Sequence, residues 1–190
     1  MPKPRAPFDR SKRPLGAAKL DELALAYVAR FATSRAKLTR YLSRKVRESE
    51  WIDEGDAMTA CEAVADRMEQ LRYLDDRQYA AMRAGAMTRR GLGVRRVKAQ
   101  LYVDGIAEED SGDAIEAAEG AAVAAAVGFA RRRRFGPFAV RASDDPKARE
   151  RQIAAFLRAG HSMAIARRIL AVPPGDAAAL AALDDEAALD

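Results

Sequence analysis

The stretch Arg-Arg-Gly-Leu-Gly-Val-Arg-Arg-Val-Lys, residues 89–98, sets two glycines among five basic side chains. Glycines beside cations suggest phosphate chemistry, because backbone without Cβ atoms lets N–H groups approach an anion closely. Two phosphate loops can be tested directly. A dinucleotide fingerprint needs three glycines in the pattern G-x-G-x-x-G; Gly91 and Gly93 fit the first two positions, but Arg96 holds the third. A P-loop needs Lys-Ser or Lys-Thr after its last glycine, and none follows. The glycines therefore read as helix punctuation, and no cofactor is expected.

Other catalytic chemistry fares no better. Cys61 is the only cysteine and His161 the only histidine, too few for a structural zinc site or an internal disulfide. Cys61 lies at helical spacing among Met58, Val64 and Met68, which predicts a buried core thiol and not a nucleophile. Asp75 and Asp76 precede a helical pattern, where capping explains them better than metal binding. A nuclease needs several acidic ligands near one another, and the acidic C-terminal segment, expected to be mobile, is a poor candidate to supply them. The expectation is a protein that is not an enzyme.

Charge points to a partner. The chain carries a net charge of +5, yet residues 172–190 contain five acids and no Lys or Arg, so residues 1–171 carry +10. A body this basic suits a polyanion or an acidic protein surface. No apolar run reaches the roughly 20 residues of a membrane-spanning helix, and residues 1–14 do not resemble a signal peptide. A cytoplasmic protein without membrane contact is expected.

Elements that could position these cations are all helical. Hydrophobic residues make up 49% of the chain, but alanine supplies much of that, aromatics are 6%, and β-branched residues are sparse. Residues 1–17 read as a flexible basic arm, with three prolines within seven residues. A helix is expected from near Leu20, with Leu20, Leu23, Tyr27 and Phe31 on one face. Ser34 caps a second, whose apolar face is Leu38, Tyr41, Leu42 and Val46. Lys37, Arg40, Arg44 and Arg47 recur on its opposite side. After the connection Glu-Ser-Glu-Trp-Ile-Asp-Glu-Gly come Met58, Cys61, Val64 or Ala65, Met68 and Leu71. Asp75 with Gln78 forms a capping box and Leu74 with Tyr79 a hydrophobic staple; that helix should bury Tyr79, Met82 and Ala86 and end before Gly91.

Helix endings suggest a repeat. Gly105 following Leu101, and Gly160 following Phe156, each predict a left-handed ending in which the residue after glycine (Ile106, His161) returns to pack on the anchor. A fainter version lies at Leu42, with Val46 in place of glycine. The anchors are 59 and 55 residues apart, which predicts an elongated tandem array of three three-helix repeats over 18–72, 73–119 and 120–173, followed by an acidic, alanine-rich tail at 174–190. The tail either contributes little or lies as a helix across the basic surface. Leu38, Leu42, Met68, Leu71, Tyr79, Val97, Leu101, Phe156 and Ile169 should be buried.

Taken together, "QLRYLDDRQYA", "RRGLGVRRVKAQLYVDGI", "SRAKLTRYLSRKV" and "FLRAGHSMAIARRIL" resemble the RecX regulatory family of bacteria, over about residues 20–171. The form with "RKV" and "RAGH" is similar to the branch from α-proteobacteria. The chain departs from the family pattern at Val46 and at His161, where Phe is frequent, in a longer linker at 48–55, and in extended termini. The resemblance implies a monomer built of three-helix repeats. It also implies binding to RecA recombinase and its filament on DNA, with restraint of strand exchange, ATP hydrolysis and coprotease activity and hence of DNA repair and the SOS response. Candidate contacts for the RecA filament or DNA are Arg89, Arg90, Arg95, Arg96 and Lys98, then Arg40 and Arg44. The run at 131–134 is discounted, since four consecutive arginines must point around a helix. The alternative is a sequence-nonspecific DNA-binding protein built of helix-turn-helix-like units, with Arg95, Arg96 and Lys98 on phosphates.

Overall fold

A computed structural model describes residues 13–142, 145–176, 178, 179, 181 and 182. Most of the expected arm and most of the expected tail lie outside the described residues. Among the described residues the protein is all-α apart from one short ladder. Its helices are α1 (Ala17–Arg30), α2 (Arg35–Arg47), α3 (Ala57–Gln70), α4 (Asp76–Arg89), α5 (Val94–Asp104), α6 (Glu108–Gly120), α7 (Ala122–Arg133), α8 (Pro146–Arg158) and α9 (Met163–Ala171), with a 3-10 turn at Gly136–Phe138. The chain divides into two compact units, residues 1–79 and 80–190.

In the first unit α1, α2 and α3 pack on one another around Leu20, Ala24, Leu38, Leu42, Cys61, Val64, Ala65, Met68 and Leu74. Burial pushes the Cys61 thiol's pKa up, as a core thiol requires. The Tyr27 ring stacks on Tyr41 at 4.3 Å beside this core. Side-chain caps fix the starts: the Ser34 hydroxyl accepts from Lys37 N–H at 3.3 Å and the Asp56 carboxylate from Thr59 N–H at 2.8 Å. The expected capping of α4 is present, since Asp75 accepts from Gln78 N–H at 2.7 Å. Asp76 caps a different helix, accepting from the Arg35 N–H at 2.8 Å at the start of α2.

Strand pairing was not expected anywhere, yet Pro14–Leu15 (β1) pairs in parallel with Glu50–Trp51 (β2). Leu15 is buried, so the last residues of the expected arm take part in the fold. Two residues cannot show alternation, which is why neither strand left a pattern.

Several inward faces differ from the expectation. Leu71 is 56% exposed, because α3 ends at Gln70 and Arg72 turns left-handed at φ 61°. The returning Tyr73 N–H then bonds to the Met68 carbonyl at 2.9 Å, so Met68 and not Leu71 is the anchor. Met58, Phe31 and Met82 are also exposed. On α4 the buried positions are Tyr79, Ala80, Ala84 and Met87; small residues mark the close-packed side there, a signal that large apolar residues obscure. The Leu42–Val46 ending is absent, since α2 runs unbroken to Arg47.

The second unit has a core of Ala126, Val127, Phe129, Ala130, Phe156, Ala159, Ala166, Ile169 and Leu170. Phe129 meets Phe156 edge-on at 5.0 Å. Beyond the expected end of the repeats, Gly175 N–H donates to the Pro137 carbonyl at 3.3 Å.

Candidate partner-binding face

All seven candidate cations are exposed. Arg40 and Arg44 belong to the first unit, and Arg89, Arg90, Arg95, Arg96 and Lys98 to the second. On α2 the Arg44 guanidinium lies 5.7 Å from the Tyr41 ring centre and 3.9 Å from Glu48. Glu48 also pairs with Lys45 at 2.9 Å, and this bond holds its carboxyl pKa below the ordinary value.

The cations of the middle segment stand on a differently built support. Helix α4 closes with Leu92 N–H on the Met87 carbonyl at 3.1 Å, with Gly91 left-handed at φ 73°. Gly93 then opens α5 with no side-chain cap. Its N–H donates instead to the Ala159 carbonyl at 2.9 Å, and the Arg95 N–H donates to the Gly160 carbonyl at 3.2 Å. The α4–α5 turn is thus docked, backbone on backbone, against the α8–α9 turn. A Cβ on Gly93 would lie 2.4 Å from the Gly160 carbonyl, and one on Gly160 would lie 2.5 Å from Arg96 N. Only glycine fits both positions.

His161 completes this junction. It is 2% exposed, its ring 5.5 Å from those of both Phe129 and Phe156, and its Nε2 is 3.1 Å from the Gly91 carbonyl. That carbonyl accepts a hydrogen, so Nε2 carries the proton. Burial lowers the imidazole pKa, the Gly91 hydrogen bond acting in the opposite sense. A histidine where an aromatic ring is expected therefore serves as that ring while adding one tether.

Both expected left-handed endings are present. Gly105 has φ 79° and Gly160 φ 95°, with Ile106 N–H on the Leu101 carbonyl and His161 N–H on the Phe156 carbonyl, each at 3.0 Å. The far end of α5 is tied to α4 through the buried Asp104, which accepts from Gln100 at 3.0 Å and lies 3.4 Å from Arg83. Held at both ends, α5 presents Arg95, Arg96 and Lys98 outward. Lys98 pairs with Glu119 of α6 at 2.8 Å.

Three further features share this region. Tyr102 is 83% and Val103 60% exposed on the same helix. The spacing of Tyr102 from Lys98 is a detectable signal, since residues four apart are neighbours on a helix. Arg132 donates to the Arg90 carbonyl. Arg131 and Arg133 lie over the rings of Phe138 and Phe129 at 5.1 and 5.8 Å. The arginine run is thus largely occupied within the fold. Among the described residues no group of three or more His, Cys, Asp or Glu is disposed to hold a metal, and no helix is long and apolar enough to cross a membrane.

No family model matches the chain. Regulatory protein RecX of Myxococcus xanthus is 30% identical over 156 residues, which is 80% of this chain and 83% of that protein. The chain belongs to the RecX family. Regulatory protein RecX of Agrobacterium fabrum is 33% identical over 107 residues, 56% of each chain. Both relatives are regulatory proteins by name.

Proposed function

We propose that the chain regulates RecA, binding the recombinase and its nucleoprotein filament and inhibiting strand exchange, ATP hydrolysis and coprotease activity from the cytoplasm. The observation that carries this reading, beside family membership, is the exposed basic face where α4 ends and α5 begins. Among the described residues Arg89, Arg95 and Arg96 have no ion-pair partner. Their backbone is fixed by the glycine junction, so only side-chain ordering remains to be met when a partner arrives. Three tandem three-helix units fit the helix order, with α1–α3, α4–α6 and α7–α9 as the units and Arg40 and Arg44 adding contacts from the first. Several weak basic contacts act together as a multivalent clamp, whose avidity exceeds that of any one by about 10²–10⁴. The protein needs no cofactor and acts as a monomer.

Exchanging Arg95, Arg96 and Lys98 together for Glu is expected to abolish inhibition of RecA ATP hydrolysis while helicity and melting persist. The wild-type inhibition should weaken steeply with salt, because exposed charges are screened beyond about 8 Å at physiological ionic strength. A folded triple variant that inhibits at the wild-type concentration would remove this face from the mechanism.

A second reading, sequence-nonspecific DNA binding, draws on the exposed Tyr102, an aromatic next to cations that suits base stacking. Titration separates the two. A regulator inhibits RecA far below the concentration that coats the DNA, and a coating protein does not.

A further inference from the structure

Helix α5 exposes two kinds of side chain in succession. Arg95, Arg96 and Lys98 occupy its first half, and Ala99, Tyr102 and Val103 its second. Residues three, four and seven apart share a helical face. Arg95, Lys98 and Tyr102 therefore form one row, and Arg96, Ala99 and Val103 the next. Tyr102 is 83% and Val103 60% exposed, although the helix beneath them is held at both ends, by the Gly93–Gly160 junction and by Asp104. Tyrosine and arginine are the side chains that most often carry binding energy once an interface covers them. A few residues past Val103 the chain turns at Gly105, and α6 opens with Glu108, Glu109 and Asp110.

We infer that this face docks into an apolar hollow with an acidic border on a protein partner. Tyr102 and Val103 fill the hollow. Lys98 is already paired with Glu119 at 2.8 Å, which leaves Arg95 and Arg96 to meet the border. The inference rests on the RecA-regulator reading and specifies the contact. Charge decides between a protein and a nucleic acid. A phosphate backbone is negative along its whole length, so a strand running along α5 would gain at Arg95 and Arg96 and be repelled at Glu108 and Glu109. A protein surface can set its acids opposite the cations alone. Shape agrees. The Tyr102 ring can stack on a base, but Val103 has no flat face, and its branched methyls suit an apolar pocket and add little to stacking.

Both side chains are exposed, so Tyr102→Ala and Val103→Thr remove contact area without opening the core. With helicity retained, Tyr102→Ala is expected to raise the concentration that half-inhibits RecA ATP hydrolysis by about ten- to thirtyfold, the range for an aromatic anchor. Val103→Thr should raise it by about fourfold, the loss of one buried methyl. Affinity for a thymidine oligonucleotide, measured by fluorescence anisotropy without RecA, should be unchanged in both variants. A loss of oligonucleotide affinity by Tyr102→Ala equal to its loss of inhibition assigns the ring to bases and overturns the inference. Two variants that inhibit at the wild-type concentration also overturn it, and leave the regulator reading intact where the Arg95, Arg96 and Lys98 exchange still abolishes inhibition. Wild-type protein without effect on RecA overturns the regulator reading itself, and this contact with it.

Discussion

Helices α2 and α5 both carry basic stripes, but their first turns are held by different means. At the start of α2 every fixing group is a side chain. Ser34 caps it, Asp76 accepts from Arg35 N–H, and the Arg35 guanidinium reaches Glu62, Asp66 and Glu69 at 2.9, 2.5 and 3.7 Å. The bond to Asp66, ahead of the other effects, raises the Arg35 pKa. At the start of α5 no side chain caps, and two backbone N–H groups donate to a turn about 65 residues away in sequence. The cations also differ: Arg44 and Lys45 are engaged by Glu48 and Tyr41 of their own segment, whereas Arg95 and Arg96 face solvent. A helix held by side chains tolerates change one group at a time. One held by touching backbones does not.

The sharpest way to break this comparison is Gly93→Ala. Its new methyl would meet the Gly160 carbonyl at 2.4 Å, where backbone cannot swing away. A loss of about 3 kcal/mol is expected, read as an earlier urea midpoint for the His161 signal. A midpoint within error of wild type would show that the turn relaxes and is no rigid support.

Next in size is a pH effect confined to the second unit. The folded chain holds the His161 pKa below its ordinary value, so the unfolded chain takes up a proton first as pH falls. Stability is therefore complete above about pH 6.5 and declines as pH drops toward the folded value, by at most about 1.4 kcal/mol per unit. His161→Phe should flatten that part of the profile between pH 7.5 and 5. Parallel profiles for the two proteins would mean that the imidazole is not the titrating group.

Smallest is Ser34→Ala at the head of α2, expected to cost about 1 kcal/mol. The fluorescence of Trp51, the single tryptophan, is a suitable probe of that unit. A cost as large as that at Gly93 would erase the distinction between the two supports.

Local chemistry was readable wherever it acts within a few residues. The caps at Ser34 and Asp75 and the endings at Gly105 and Gly160 depend on groups three to five positions apart, and each is present as expected. The burial of Leu38, Leu42, Val97, Leu101 and Phe156 follows from helical period alone. Leu71 and Met82 failed because period assigns a face but does not say where a helix stops or whether alanine or methionine forms the close contact. Strands β1 and β2 were too short for any pattern.

The candidate cations could be named from the sequence, since basic residues recur at helical spacing along α2 and cluster around Gly91 and Gly93. Their exposure was not readable there. Nor was the division of Arg131, Arg132 and Arg133 among Phe138, the Arg90 carbonyl and Phe129. The sequence by itself determined that the chain is helical, where α2, α4, α5 and α9 start, where α4, α5 and α8 stop, and that its family is RecX. Tertiary structure alone decided that Gly93 and Gly160 touch and that His161 seals their junction. The physical reason is distance along the chain. Hydrogen bonds between residues about 65 apart leave no periodic trace, and a missing Cβ looks the same in sequence whether it frees a turn or admits a neighbour.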